Sequence, residues 1–263
     1  MRKLATIRLF CSTELVKKLN SLTHSAYEIN LLSHLVNYAP LHTAEATTEN
    51  LDEEQFYIAI LSDISQVASL SILYLSHRFK VIDLIEQQTN EELNIFRTIL
   101  ENNHDILMLP SLNEKTKIFC NQGNAANIEN IKLLMMEKIL AIFSNIGLVG
   151  IDWYDVLRVF TKKRKLLAII DFYSDDINFN DFQSYIKAHW QAEFSNLDVP
   201  LSSLCLMSSN SWDVEISAIE SVFKPIHTRG ILTQSHDNYT QTGAFTIDTV
   251  QQVTSRAFII ILI

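Results

Sequence analysis

Gly147-Leu148-Val149-Gly150-Ile151-Asp152-Trp153-Tyr154-Asp155-Val156 is the stretch from which the rest of the chain can be ordered. Upstream of it, Ile128, Ile131, Leu134, Met135, Ile139, Ile142 and Phe143 recur at helical spacing, which predicts one long helix over 126–144 that stops near Gly147. Downstream, Asp152 stands where a carboxylate caps a helix beginning at Trp153, and Asp155 falls in its first turn, near the positive helix end. The stretch therefore separates a long central helix from a new helix that starts with two acids.

On the N-terminal side, short apolar runs alternate with helical patterns. Strands are expected at 5–10, 27–30, 56–61, 79–85 and 105–109, and helices at 14–22, 31–38, 65–77 and 91–102; Ser12 or Thr13 can cap the first helix. Such alternation indicates a mostly parallel sheet with helices on both faces. On the C-terminal side, strands are expected at 166–172, 203–208, 230–234 and 255–263, with helices at 179–195 and 214–227. The expected division is 1–125, a linking helix at 126–146, and a smaller α+β domain at 147–263.

Composition narrows the chemistry. Hydrophobic residues make up 48% of the 263 and charged ones 19%, so a sizeable core is expected rather than disorder. A net charge of −9 argues against a general affinity for nucleic-acid backbones. Cys11, Cys120 and Cys205 lie far apart without metal-ligand spacing and read as reduced thiols. Met1 to Arg8 shows no signal-peptide pattern, and the apolar run at 257–263 is too short to cross a bilayer, so a cytoplasmic protein without direct membrane insertion is expected. Five glycines are far fewer than the usual ~7%, and the first is Gly123. Phosphate loops use glycine so that backbone can approach the ligand with positive φ.

The stretch quoted first resembles the FtsZ sequence Gly-Leu-Ile-Asn-Val-Asp-Phe-Ala-Asp-Val, the loop that reaches into a neighbouring subunit's nucleotide pocket and assists GTP hydrolysis. Asp152 and Asp155 match its aspartates, and Gly150 stands in place of its asparagine. Tyr27-Glu28-Ile29-Asn30, the segment 102–111, Leu204-Cys205-Leu206-Met207-Ser208-Ser209-Asn210, and Arg256-Ala257-Phe258-Ile259-Ile260 resemble further strands of the FtsZ/tubulin superfamily, in the family's order. The resemblance implies a parallel-sheet N-terminal domain, a long central helix and a smaller α+β domain.

The departures from the family concern its glycines. Its phosphate-cradling loop should follow the 56–61 strand, where this chain has Ile64-Ser65-Gln66-Val67-Ala68-Ser69-Leu70. The cluster after the first strand is replaced by Leu9-Phe10-Cys11-Ser12-Thr13, most of a third loop between Pro40 and Phe56 is missing, and no counterpart of the family's C-terminal tail is expected. Asn130 falls near a guanine-reading position of the family but reads as an ordinary helix-face residue.

Other polar groups have plain readings. Lys162-Lys163-Arg164-Lys165 complements a helix C-terminus, and Asp171, Asp175, Asp176 and Asp181 read as a solvated turn without calcium-loop spacing. No metal grouping is expected among the histidines. For Asp152 and Asp155, helix capping and action on a partner's GTP remain two open roles. Taken together, the resemblance and its departures imply a non-hydrolysing pseudo-GTPase without a cofactor. It would bind FtsZ or itself through a longitudinal filament-type contact and modulate assembly in cell division. The alternatives are a divergent GTP-binding protein that polymerises itself and a nucleotide-independent scaffold.

Overall fold

A computed structural model describes residues 7–22, 27–31, 56–76, 79–85, 90–110, 112, 115–121, 128–144, 147–149, 151–160, 165–174, 181–182, 184–185, 188–189, 202–209, 239–246 and 255–262. It divides the chain into two compact units. The first comprises Met1–Leu109 with Lys132–Ser144, and the second Pro110–Ile131 with Asn145–Ile263. The long helix thus contributes to both, and the segment from Pro110, assigned from sequence to the first domain as far as 125, goes with the second unit.

In the first unit β1 (Ile7–Cys11), β2 (Tyr27–Leu31), β3 (Phe56–Leu61), β4 (Lys80–Asp83) and β5 (Ile106–Met108) form a sheet in the order β2-β1-β3-β4-β5. Every pairing in it is parallel. Between the strands run α1 (Thr13–Leu22), α2 (Gln66–Ser76) and α3 (Glu91–Asn102). Strands β1, β3, β4 and β5 are short and largely apolar, as strands buried on both faces are. Phe10, Ala59, Leu61, Val81 and Ile106 share a core with Val67 and Leu70 of α2 and with Leu93, Phe96 and Leu100 of α3. The alternate positions, Leu9, Cys11, Ile58, Ile60, Ile82 and Leu107, are buried too, and by the two-residue period they face the other way. Within the first face Phe79 meets Phe10 and Tyr57 edge-on, with ring centroids 5.6 and 5.7 Å apart.

Helix α3 shows how a glycine-poor chain ends a helix. His104 takes the left-handed turn, at φ 57°, and Asp105 N–H returns to Leu100 O at 2.9 Å. That position usually belongs to glycine or asparagine, because a Cβ is unfavourable there.

The second unit contains β6 (Lys117–Cys120), β7 (Gly147–Val149), β8 (Leu166–Ser174), β9 (Ser202–Ser209), β10 (Tyr239–Thr246) and β11 (Ser255–Leu262), in the order β6-β8-β11-β9-β10-β7. This sheet is mixed: β6 with β8 and β9 with β10 run parallel, and the other pairs antiparallel. Helix α4 (Ile128–Ser144) is the long helix, and α5 (Trp153–Phe160) packs on β9 and β10 through an apolar side that includes Trp153, Val156 and Phe160. Cys11 and Cys205 are buried, which pushes both thiols up to about 12, whereas Cys120 is half-buried; none of the three is in a disulfide.

The expected mostly parallel α/β sheet, long helix and second α+β unit are therefore present. Two differences are local. Asp171 is not part of a solvated turn: it lies in β8, buried, and accepts two bonds from Arg256 at 2.5 Å each. Antiparallel pairing sets Arg256 opposite Tyr173, one diagonal step from Asp171, and the guanidinium also lies 4.4 Å from the centre of the Tyr173 ring. Asp181 accepts from Ser174 Oγ at 2.8 Å. The expected strand at 230–234, the helices at 31–38 and 214–227, Gly150 and the run Lys162–Arg164 lie outside the described residues.

Candidate functional site

In an open parallel sheet, ligands favour the carboxyl ends of the strands at the point where the strand order reverses. Here that point lies between β1 and β3: the chain moves from β1 to β2 on one side, then from β3 through β5 on the other. The residues following those two strands are Ser12 and Ser62, and their hydroxyl oxygens lie 3.4 Å apart.

Ser12 caps α1. Its Oγ accepts from Leu15 N–H at 3.3 Å and its carbonyl from Val16 N–H at 2.9 Å. The turn from β3 into α2 is closed more fully. The Asp63 carboxylate accepts from Ser65 N–H at 2.8 Å and from Ser65 Oγ at 2.6 Å. Gln66, three residues on, folds its side chain back so that Oε1 accepts from Asp63 N–H at 3.0 Å and from Ser62 N–H at 2.8 Å. This is a capping box of the Asp-x-x-Gln kind, extended by one donor. Two N–H groups facing one atom define that atom as the amide oxygen. Gln66 is buried; Val67 and Leu70 lie in the core, whereas Ser65 and Ala68 are exposed.

The next strand end repeats part of this pattern. Asp83 Oδ1 accepts from Ile85 N–H at 2.8 Å, and Oδ2 accepts from Arg97 Nε at 2.6 Å. Arg97 also donates to Ile85 O at 3.0 Å, so the arginine crosses the turn from α3 and holds both its carboxylate and its carbonyl. Burial pushes the Asp83 carboxyl up from its ordinary range, and the Arg97 guanidinium, the Ile85 N–H and the charge of Lys132 pull in the opposite direction. Asp63 is exposed, and its bonds from Ser65 hold it below the ordinary range. Helix α3 carries its own cap, with Asn90 Oδ1 accepting from Leu93 N–H at 3.0 Å.

A guanine nucleotide is the group the family resemblance implies at this edge. Phosphate loops offer backbone N–H groups and the positive end of a helix to the anion. At this edge the N–H groups of Leu15, Ser62, Asp63 and Ser65 already point at side-chain oxygens of the chain itself. An ionised aspartate also stands at the mouth of the turn. As arranged, these residues do not suit a phosphate group.

Asp152 and Asp155 form a second, reciprocal box in the other unit. Asp155 N–H donates to Asp152 Oδ1 at 2.8 Å, Asp152 N–H donates to Asp155 Oδ2 at 3.1 Å, and Val156 N–H donates to Asp152 O at 3.2 Å. Both carboxylates thus hold the start of α5, as the capping role requires. Gly147 does more than end α4, since Gly147–Val149 forms β7 beside β10. Sequence reasoning placed Gln66 in the altered loop but missed its role; Asp63-x-x-Gln66 ahead of an apolar helix was the available signal. It missed Arg97 and Asp83 altogether. Among the described residues, no group of histidine, cysteine and acidic side chains is placed to hold a metal. No described helix is long and apolar enough to cross a membrane.

Among the described residues, site and fold define one doubly wound α/β unit in which the turns after β1 and β3 are capped by the chain's own side chains, and a second unit built on a mixed sheet. No family model matches the chain, and no curated protein matches it by sequence. Among solved structures, it is similar to an FtsZ mutant from M. jannaschii, with 12% identity over 98% of this chain and 91% of that one and a TM-score of 0.45. It is also similar to an empty FtsZ dimer from M. jannaschii, with 11% identity over 99% and 88% and a TM-score of 0.46. A GTPγS-form protofilament of Bacillus thuringiensis serovar israelensis TubZ is 13% identical over 94% and 70%, with a TM-score of 0.37. At such distances, what the chain can do is decided by its own side chains.

Proposed function

We propose that the chain is a non-hydrolysing, filament-associated subunit of FtsZ/tubulin type that works through its contact surfaces rather than through a bound guanine nucleotide. The observation that carries this reading is the turn after β3, where Gln66 and Asp63 accept the N–H groups of Ser62, Asp63 and Ser65. Opening that turn for a phosphate would remove a buried amide from its partners and bring two anions together, and both changes are unfavourable. Partners in this reading are FtsZ-type filaments or further copies of the chain, met end to end, with an effect on assembly and a place in cell division.

Calorimetry with GTP and with GDP in magnesium tests the first half. No heat up to millimolar nucleotide is expected; micromolar binding would instead support a divergent GTP-binding protein that polymerises itself. Sedimentation of FtsZ with substoichiometric amounts of the chain tests the second half, with a changed polymer mass expected. Unchanged sedimentation and phosphate release would remove that half. Asp152→Asn separates the two roles of Asp152, because asparagine caps a helix as well as aspartate while lacking the charge. If Asp152 acts on a partner's GTP, any effect of the chain on partner phosphate release falls in Asp152→Asn while the stability of the chain is unchanged.

A further inference from the structure

The first unit carries an apolar surface that its own core does not use. Val67 and Leu70 of α2 and Leu93, Phe96 and Leu100 of α3 already fill the interior. On the outer side of the same two helices, Ile72 is 65% exposed, Leu75 85%, Ile95 55% and Ile99 43%. A groove of about 270 Å³ runs between the helices, with Phe96 and Tyr74 in its wall and Leu75, Ile95 and Ile99 at its lip. A second depression, of about 510 Å³, continues along α3 past Ile95 and Ile99 to Glu91. Single exposed apolar side chains are ordinary, but a row of them set beside a groove marks a contact surface.

Charge says what fits it. Helix α2 has no ionisable acid or base between Gln66 and Ser76 except the tyrosine. Helix α3 exposes Glu91, Glu92 and Glu101, while its one base, Arg97, is committed to Asp83. Glu91 and Glu92 suit the positive end of α3, and they also line the two depressions, where they are the only charged side chains among the described lining residues. Ile95 and Ile99 stand one helical turn apart, a spacing that side chains at i, i+3, i+4 and i+7 of an opposing helix can straddle.

We propose that the α2–α3 groove is a docking site for a basic amphipathic helix of a partner protein, its apolar stripe on Leu75, Ile95 and Ile99 and its lysines or arginines toward Glu91 and Glu92. A second copy of the chain would set glutamates against glutamates when the same surfaces meet, and an anionic bilayer would be repelled by the same charges.

The test uses the full chain and a fluorescent synthetic helix with leucine at i, i+3, i+4 and i+7 and lysine on its flanks, followed by anisotropy. Micromolar binding that weakens with salt is expected. Leu75→Gln with Ile99→Gln should weaken it roughly tenfold or more, and because both side chains are exposed, an unchanged thermal melt should accompany the loss. Glu91→Lys with Glu92→Lys should weaken the lysine peptide by a similar factor and tighten a glutamate-flanked version. Equal binding to the doubly glutamine-substituted chain, or none to the unaltered chain up to millimolar peptide, would overturn the proposal. So would self-association, or binding to phosphatidylserine vesicles, that Leu75→Gln with Ile99→Gln abolishes.

Discussion

Two neighbouring strands, β3 and β4, end in the same way and lead to opposite surroundings. Asp63 accepts the N–H of Ser65 at 2.8 Å, and Asp83 accepts the N–H of Ile85 at 2.8 Å; each is an aspartate bonding the backbone two residues on. Asp63 stands in water with a serine hydroxyl as its second donor. Asp83 is 1% exposed and takes a guanidinium instead. The local turn chemistry is the same, and what differs is the cover. A carboxylate in water needs nothing further, whereas a buried one requires a charge partner within bonding distance. The same edge of one sheet therefore offers an approaching anion a free negative charge at one strand end and a neutralised pair at the next.

The strongest way to break this contrast is Arg97→Met. It leaves the Asp83 carboxylate buried without its ion pair, and a loss of about 3–5 kcal/mol is expected, read from the midpoint of urea unfolding. Asp83→Asn in the same background should recover part of it; no recovery would mean that Arg97 acts by packing alone. Next in size is Gln66→Ala. It strips the acceptor from two N–H groups at the other strand end, for about 1–3 kcal/mol. If the closed turn is what keeps phosphates out, this variant is also the one in which weak GTP binding should first become measurable by calorimetry. Asp152→Ala supplies a scale for an exposed cap without any buried partner, and about 1 kcal/mol is expected, seen as a small fall in melting temperature.

The subtlest effect is the dependence on pH, where the two aspartates should pull in opposite directions. The folded-state pKa of Asp63 lies below its ordinary 3.8, so its contribution is present above that value and fades as pH falls through the folded pKa. Burial raises the folded-state pKa of Asp83 above 3.8, so its contribution is present below 3.8 and is lost as pH rises through the folded pKa. Urea midpoints for Asp63→Asn and Asp83→Asn, compared with the parent between pH 3 and pH 7, should diverge with opposite slopes. Parallel curves would show that cover does not distinguish the two sites.

In the first unit β3 and α2 were legible because each is a compact apolar run bounded by turn residues, and both lie within a residue of their expected limits. Strand β10 was not, since Tyr-Thr-Gln-Thr-Gly-Ala-Phe-Thr has neither alternation nor an apolar run, and it is fixed by pairing along its whole length with β9. Strand β6 is four residues, too short for periodicity. The caps at Ser12, Asp63 and Asp152 are local grammar and could be read. Partners brought together by folding could not be: Arg97 reaches Asp83 across a turn and a helix, and Arg256 reaches Asp171 only through the register of β11 on β8. Ser202 shows the limit of side-chain accounting among the described residues, being buried with no partner for its hydroxyl, for which we have no physical account.

The three cysteines have a practical consequence. Thiolate is the form that reacts, and two of the three sulfurs are held as neutral thiols inside the sheets at any pH a cell reaches. A maleimide dye added to the folded chain should therefore attach at Cys120 first, so the natural sequence already provides a single reporter position on an edge strand of the second unit, with no cysteine removed and none introduced.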